Sequence, residues 1–149
     1  MIPSFPLSVR RVLAAFLGVL LVATGFAAKR SLRIEAAPVV RPDLAASIVV
    51  IAETDDEGNE RVAFLQVEAS RDGGKTWTAL CYLTDGAKRE APQLSVKAGA
   101  AGSQILVRAR AAFRSKAGDV DYQGKPVDWA GTWETWAEPP ARKLRVSVR

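Results

Sequence analysis

The stretch "VAFLQVEASRDGGKTWTALCYLT", residues 62–84, decides the fold. Its two flanks are apolar and its middle is turn chemistry. Ala63, Leu65, Val67 and Ala69 fall on one side of a period-two alternation, with Gln66, Glu68 and Ser70 on the other, as in a half-buried strand. Asp72, Gly73 and Gly74 supply the reversal. Glycine takes positive φ without steric cost, and an aspartate accepts hydrogen bonds from backbone N–H groups just beyond it. Ser70 braces the turn from the strand end, and Trp77 folds back over it. The stretch therefore predicts an antiparallel hairpin stiffened by Ser70, Asp72, Gly74 and Trp77.

Outward from this hairpin the same period recurs. "SIVVIAE", residues 47–53, is a nearly continuous β-branched run, as a buried strand would be. "LSVKA", residues 94–98, sets Leu94 and Val96 opposite Ser95 and Lys97. "QILVRARAAFR", residues 104–114, sets Ile105, Val107, Ala109, Ala111 and Phe113 opposite Arg108, Arg110 and Arg114. "KLRVSVR", residues 143–149, puts Leu144, Val146 and Val148 inside. No window after Ala28 sustains a helical period. Six or seven short strands with Gly, Asp and Pro between them predict an all-β, antiparallel two-sheet sandwich.

The first thirty residues are of another kind. Arg10 and Arg11 precede "VLAAFLGVLLVATGFAA", residues 12–28, which holds no ionisable side chain. A basic start followed by an apolar run is the pattern of an export signal, read here as an N-terminal hydrophobic helix. Gly25 and Ala27 are the small residues before a cut after Ala27. The same run, with Lys29, Arg30 and Arg33 just behind it, also reads as an uncleaved membrane anchor. Either way the rest of the chain is expected outside the cytoplasm, secreted or in the periplasm or cell envelope. The expected organisation is a signal peptide or anchor over residues 1–28, a linker over 29–37 with a short first strand near Val39 and Val40, and one domain over 38–149.

Composition excludes several functions. Setting aside Arg10 and Arg11 leaves 19 basic against 16 acidic residues, too mixed a balance to argue for nucleic acid. The chain has no histidine, which removes His-based triads and His-containing metal sites. Cys81 is the sole cysteine, so no internal disulfide forms. Its spacing from Trp77 (77, 79, 81) places it on the tryptophan's face as a buried thiol. The acidic loop "ETDDEGNE", residues 53–60, fails as an EF-hand, because aligning Gly58 with the loop glycine puts Phe64 where the terminal glutamate belongs. No metal and no cofactor is expected.

Two resemblances add to this reading. Residues 70–77 match Ser-x-Asp-x-Gly-x-Thr-Trp, the Asp-box of sialidase-like propellers, where it is a structural hairpin repeated once per blade. Here it occurs once, and a propeller needs several blades. Residues 38–148 resemble a fibronectin type III domain, a member of the immunoglobulin-like sandwiches. "VEASRDGGKTW" is similar to the third strand and hairpin of such domains. "LSVKAGAAGSQILVRARAAF" is similar to the fifth and sixth strands. "WETWAEPPARKLRVSV" is similar to the lead into the last strand. Ile105 stands where the family carries a tyrosine. The resemblance implies a structural cation–π ladder in which Arg108 and Arg110 interleave with Trp133 and Trp136, which share a face in polyproline II geometry.

The connection over residues 115–140 is long and aromatic, and loops at the end of a sandwich are where binding resides. Tyr122, Trp129, Trp133 and Trp136 are its candidate binding residues, with a cover over the core as the competing role. The expected function is non-enzymatic binding, with a protein partner. A small carbohydrate-binding module using Tyr122, Trp129 and Trp136, or an accessory domain of a glycan-active system, is the alternative.

Overall fold

A computed structural model describes residues 28–131 and 142–149. The expected N-terminal hydrophobic helix therefore lies outside the described residues, as do Trp133 and Trp136. Among the described residues there is no helix, and the chain is all-β. Among the described residues ten strands form: β1 (Arg30–Ala36), β2 (Val39–Val40), β3 (Ala45–Thr54), β4 (Arg61–Ser70), β5 (Thr78–Thr84), β6 (Arg89–Glu90), β7 (Gln93–Lys97), β8 (Gln104–Ser115), β9 (Gly118–Val120) and β10 (Arg142–Val148).

The strands sort into two sheets. One has β3 between β1 and the β6–β7 stretch; the other runs β2-β10-β8-β4-β5, with β9 paired to β8. Their inner faces meet in one aliphatic core. Leu32, Ile48 and Val50 come from the first sheet, and Leu65, Val67, Ile105, Val107, Phe113, Val146 and Val148 from the second. Each fully buried Val, Leu, Ile or Phe contributes roughly 1.5–3 kcal/mol over an exposed one, so this filling is what holds the two layers together.

Two expectations need correction. Residues 29–37 are not a linker, because β1 pairs antiparallel with β3 from Arg30↔Thr54 to Ala36↔Ile48. Leu32 is buried, while Arg33 and Glu35 face solvent, so the lead hides its apolar side chain as any edge strand does. Its first residue is bolted down as well. Arg30 makes a two-pronged bond to Glu60, Nε to Oε1 at 2.7 Å and Nη2 to Oε2 at 2.5 Å, and Thr54 Oγ1 donates to Glu60 at 2.7 Å. The second correction is one of direction. The sheets are antiparallel except where β2 runs parallel to β10. Pro38 cannot continue a ladder through its nitrogen. The chain crosses to the other sheet there while keeping its heading, and Pro38 O accepts from Ser147 N at 2.9 Å.

Candidate functional site

Two β-bulges decide which side chains reach the outer face of the larger sheet. Opposite β8, Val62 pairs with Phe113 and Phe64 with Ala112, so Ala63 is an extra residue in β4. Opposite β4, Cys81 pairs with Val67 and Ala79 with Glu68, so Leu80 is extra in β5. A bulge shifts the alternation by one and turns the following side chains to the other face. Phe64 consequently points away from the main core. Cys81 is turned inward with Leu80, against the core, and not onto the face of Trp77 as the spacing implied. Burial, with a smaller push from the Glu90 charge, raises its thiol above the ordinary range.

Phe64 and Ala112 found a second, small apolar cluster, with Val127 packed on it. Phe64 is 5% exposed. Two rings stand perpendicular to it: Tyr82 at 5.2 Å between centroids and 85°, and Trp129 at 5.4 Å and 83°. These two are among the most exposed large apolar side chains, at 68% and 51%. The perpendicular contacts fix both rings against Phe64 while much of each stays in solvent.

Along the sheet from this cluster runs a polar row. Arg110 Nε donates to Gln66 Oε1 at 2.9 Å, and its guanidinium lies 5.9 Å from the Phe64 ring centre. Gln66 Nε2 donates to Glu68 Oε1 at 3.0 Å. Glu68 Oε2 accepts from Arg108 Nε and Nη2 at 2.8 and 2.6 Å. The Arg108 guanidinium also stacks 4.0 Å above the Trp77 ring. The ladder with Trp133 and Trp136 lies outside the described residues; within them Arg108 finds its aromatic partner in Trp77.

Trp77 belongs to the hairpin at the far end of the row. Ser70, buried, accepts from Gly74 N at 2.8 Å and donates to Asp72 Oδ1 at 2.7 Å. Asp72 accepts further from Thr76 N at 2.9 Å and Thr76 Oγ1 at 2.6 Å. Those Thr76 bonds, then the Ser70 bond, hold its carboxyl well below the usual carboxylate range. The indole Nε1 donates to Gly74 O at 3.1 Å. Gly73 and Gly74 sit at φ +76° and +89°, where a side chain is strained whatever the space around it.

Of the four aromatic residues expected to bind, two are described, and they occupy different clusters. Tyr122 packs against the main core, whereas Trp129 stands on Phe64. Tyr82, absent from the sequence-derived set, joins Trp129 there. The loop that carries Trp129 is pinned by Asp121, which is 2% exposed and accepts from Gln123 N and Lys125 N at 2.7 and 3.0 Å. Asp55 and Asp56 of the acidic loop are used locally, by Lys29 N and Glu60 N. Among the described residues no three His, Cys, Asp or Glu side chains gather as they would around a metal ion.

The chain matches no protein-family model, and no curated protein matches it.

Proposed function

We propose that this chain is an exported or membrane-tethered fibronectin type III-like domain that works by binding a protein and performs no catalysis. The single observation that carries the binding reading is the aromatic group on the outer face of β4 and β5. Tyr82 and Trp129 are more than half exposed, yet each is set perpendicular to the buried Phe64. Exposed rings, one on β5 and one on a loop, both fixed against Phe64, suit an interface anchor, since they bury large area at little cost in ordering.

Other features support the rest. The strands resembling the third, sixth and last of the family, β4, β8 and β10, lie in one sheet, while the fifth, β7, lies in the other. The hairpin that matches the Asp-box closes on itself through Ser70, Asp72 and Trp77, as a structural element would. Export rests on Arg10, Arg11 and the apolar run over residues 12–28. The lack of any histidine supports the non-enzymatic reading.

The test is photo-crosslinking from position 84, next to Tyr82, with the full chain in its native cell fraction. One dominant protein adduct that disappears in Trp129→Ala, with the melting temperature unchanged, is the expected result. Unaltered crosslinking in that variant would remove the aromatic face from consideration. A second reading, glycan binding, draws on the same exposed aromatic side chains, a residue type that suits stacking on a sugar. A glycan array on which Tyr82→Ala and Trp129→Ala both abolish a signal would favour it. The N-terminal sequence of the recovered protein separates a cleaved signal from an anchor.

A further inference from the structure

The opposite end of the same outer face carries a different chemistry. A groove of about 330 Å³ lies between the hairpin and β10, lined by Gly74, Trp77, Leu106, Lys143, Leu144 and Arg145. Lys143 and Arg145 are exposed and alternate with Leu144 along β10, opposite Arg108 and Leu106 of β8.

Charges are sorted along the sheet. At the end where β1 begins, cations meet acids: Arg30 with Glu60, Arg61 and Arg114 with Asp85, and Arg114 again with Asp119. In mid-sheet Arg108 meets Glu68. At the groove, among the described residues, no ion pair joins Lys143 or Arg145 to an acid. The described lining holds no carboxylate, carboxamide or hydroxyl side chain. Even the indole N–H is already taken by Gly74 O.

We infer that this groove takes an acidic peptide segment that presents an apolar side chain. Leu106 and the Trp77 edge offer an apolar floor, and Lys143 and Arg145 offer complementary charge on its rim. A neutral sugar fits worse, because its hydroxyls would lose water and find no side-chain acceptors, and unmade hydrogen bonds are costly. Its volume of about 330 Å³ has room for one side chain and some flanking backbone. The site is separate from the Tyr82–Trp129 face and stands or falls without it.

The test uses the full chain on an array of random peptides, beside an array of neutral and uronic acid-containing glycans. Bound peptides should be enriched in Asp and Glu next to Leu or Phe. In solution, affinity for the best such peptide should fall about tenfold or more when Lys143→Glu and Arg145→Glu are combined. Lys116→Glu with Lys125→Glu, the same charge change at the other end, should alter it by less than about twofold. Tyr82→Ala with Trp129→Ala should leave it unchanged, which separates failure here from failure of the aromatic face. Melting temperatures confirm that each variant is folded. Absence of acidic enrichment, equal weakening by both charge reversals, or binding of uronic acid glycans in place of peptides would each overturn the assignment.

Discussion

The Arg30 guanidinium closes on the Glu60 carboxylate with side-chain exposures of only 15% and 4%. The contact joins the first residue of β1 to the residue that precedes β4, thirty positions apart. Removing one member of a buried pair strands the other charge, at roughly 3–5 kcal/mol, and Thr54 would also lose its acceptor. Glu60→Ala should therefore lower stability by about 3 kcal/mol, and Glu60→Gln by less, since it keeps an acceptor for Thr54. Denaturant midpoints check this. A loss below about 1 kcal/mol in Glu60→Ala would show that the pair contributes no more than a surface contact.

Acid should weaken the fold through the hairpin. Asp72 is held below the ordinary carboxylate range by Thr76 and Ser70, and Glu53 is drawn down chiefly by the hydrogen bond from Arg33. A depressed carboxyl adds stability above its unfolded value, about 3.9 for Asp, and that stability drains away as pH drops through the folded value. Unfolding free energy should thus fall steadily below about pH 4. Asp72→Asn should flatten that decline while costing stability at neutral pH. Identical slopes for the two proteins would remove Asp72 from the account.

Trp77 and Arg108 should be energetically coupled. The guanidinium lies 4.0 Å above the indole while Glu68 grips its edge, so ring and carboxylate fix the same group. A double-mutant cycle on Trp77→Ala and Arg108→Ala should return a coupling of about 1 kcal/mol. Trp77→Phe should cost about 1 kcal/mol, mostly through the lost bond to Gly74 O. Strict additivity in the cycle would mean the stacking contributes nothing.

Phe64 and Tyr82 should part company in stability. Phe64 is buried in its own cluster, and Phe64→Ala should cost about 3 kcal/mol, as other buried phenylalanines do. Tyr82, at 68% exposed, should cost less than about 1 kcal/mol on truncation. If thermal melts give both the same loss, the exposed ring is a structural prop and the case for a binding face is withdrawn.

The all-β character was legible in alternation, and it held wherever strands stay regular. Ile105, Val107, Ala109 and Phe113 all line the core. Failures cluster at single extra residues. Ala63 and Leu80 each interrupt the period, and no local propensity marks a bulge, because the shift is set by the partner strand. Phe64 and Tyr82 therefore escaped notice as a pair, and Cys81 packs on the core, as its reading as a buried thiol had it, but from the face opposite Trp77. The lead was misread for a related reason. Its charges looked like those of a solvated linker, but their partners, Glu53 and Glu60, lie 20 and 30 residues away. Pairing at that distance leaves no trace in a local window.

The seven-residue register of β1 on β3 has a mechanical side. Lys29 lies at one end of the sandwich, while Val148 and Arg149 lie at the other, bonded to Ser103 and Val40. Force entering through the residues ahead of Lys29 and leaving through the C-terminus would run along β1 and load its rungs together, in shear. Single-molecule pulling should find an abrupt rupture at a well-defined force, and gradual peeling at low force would contradict that load path.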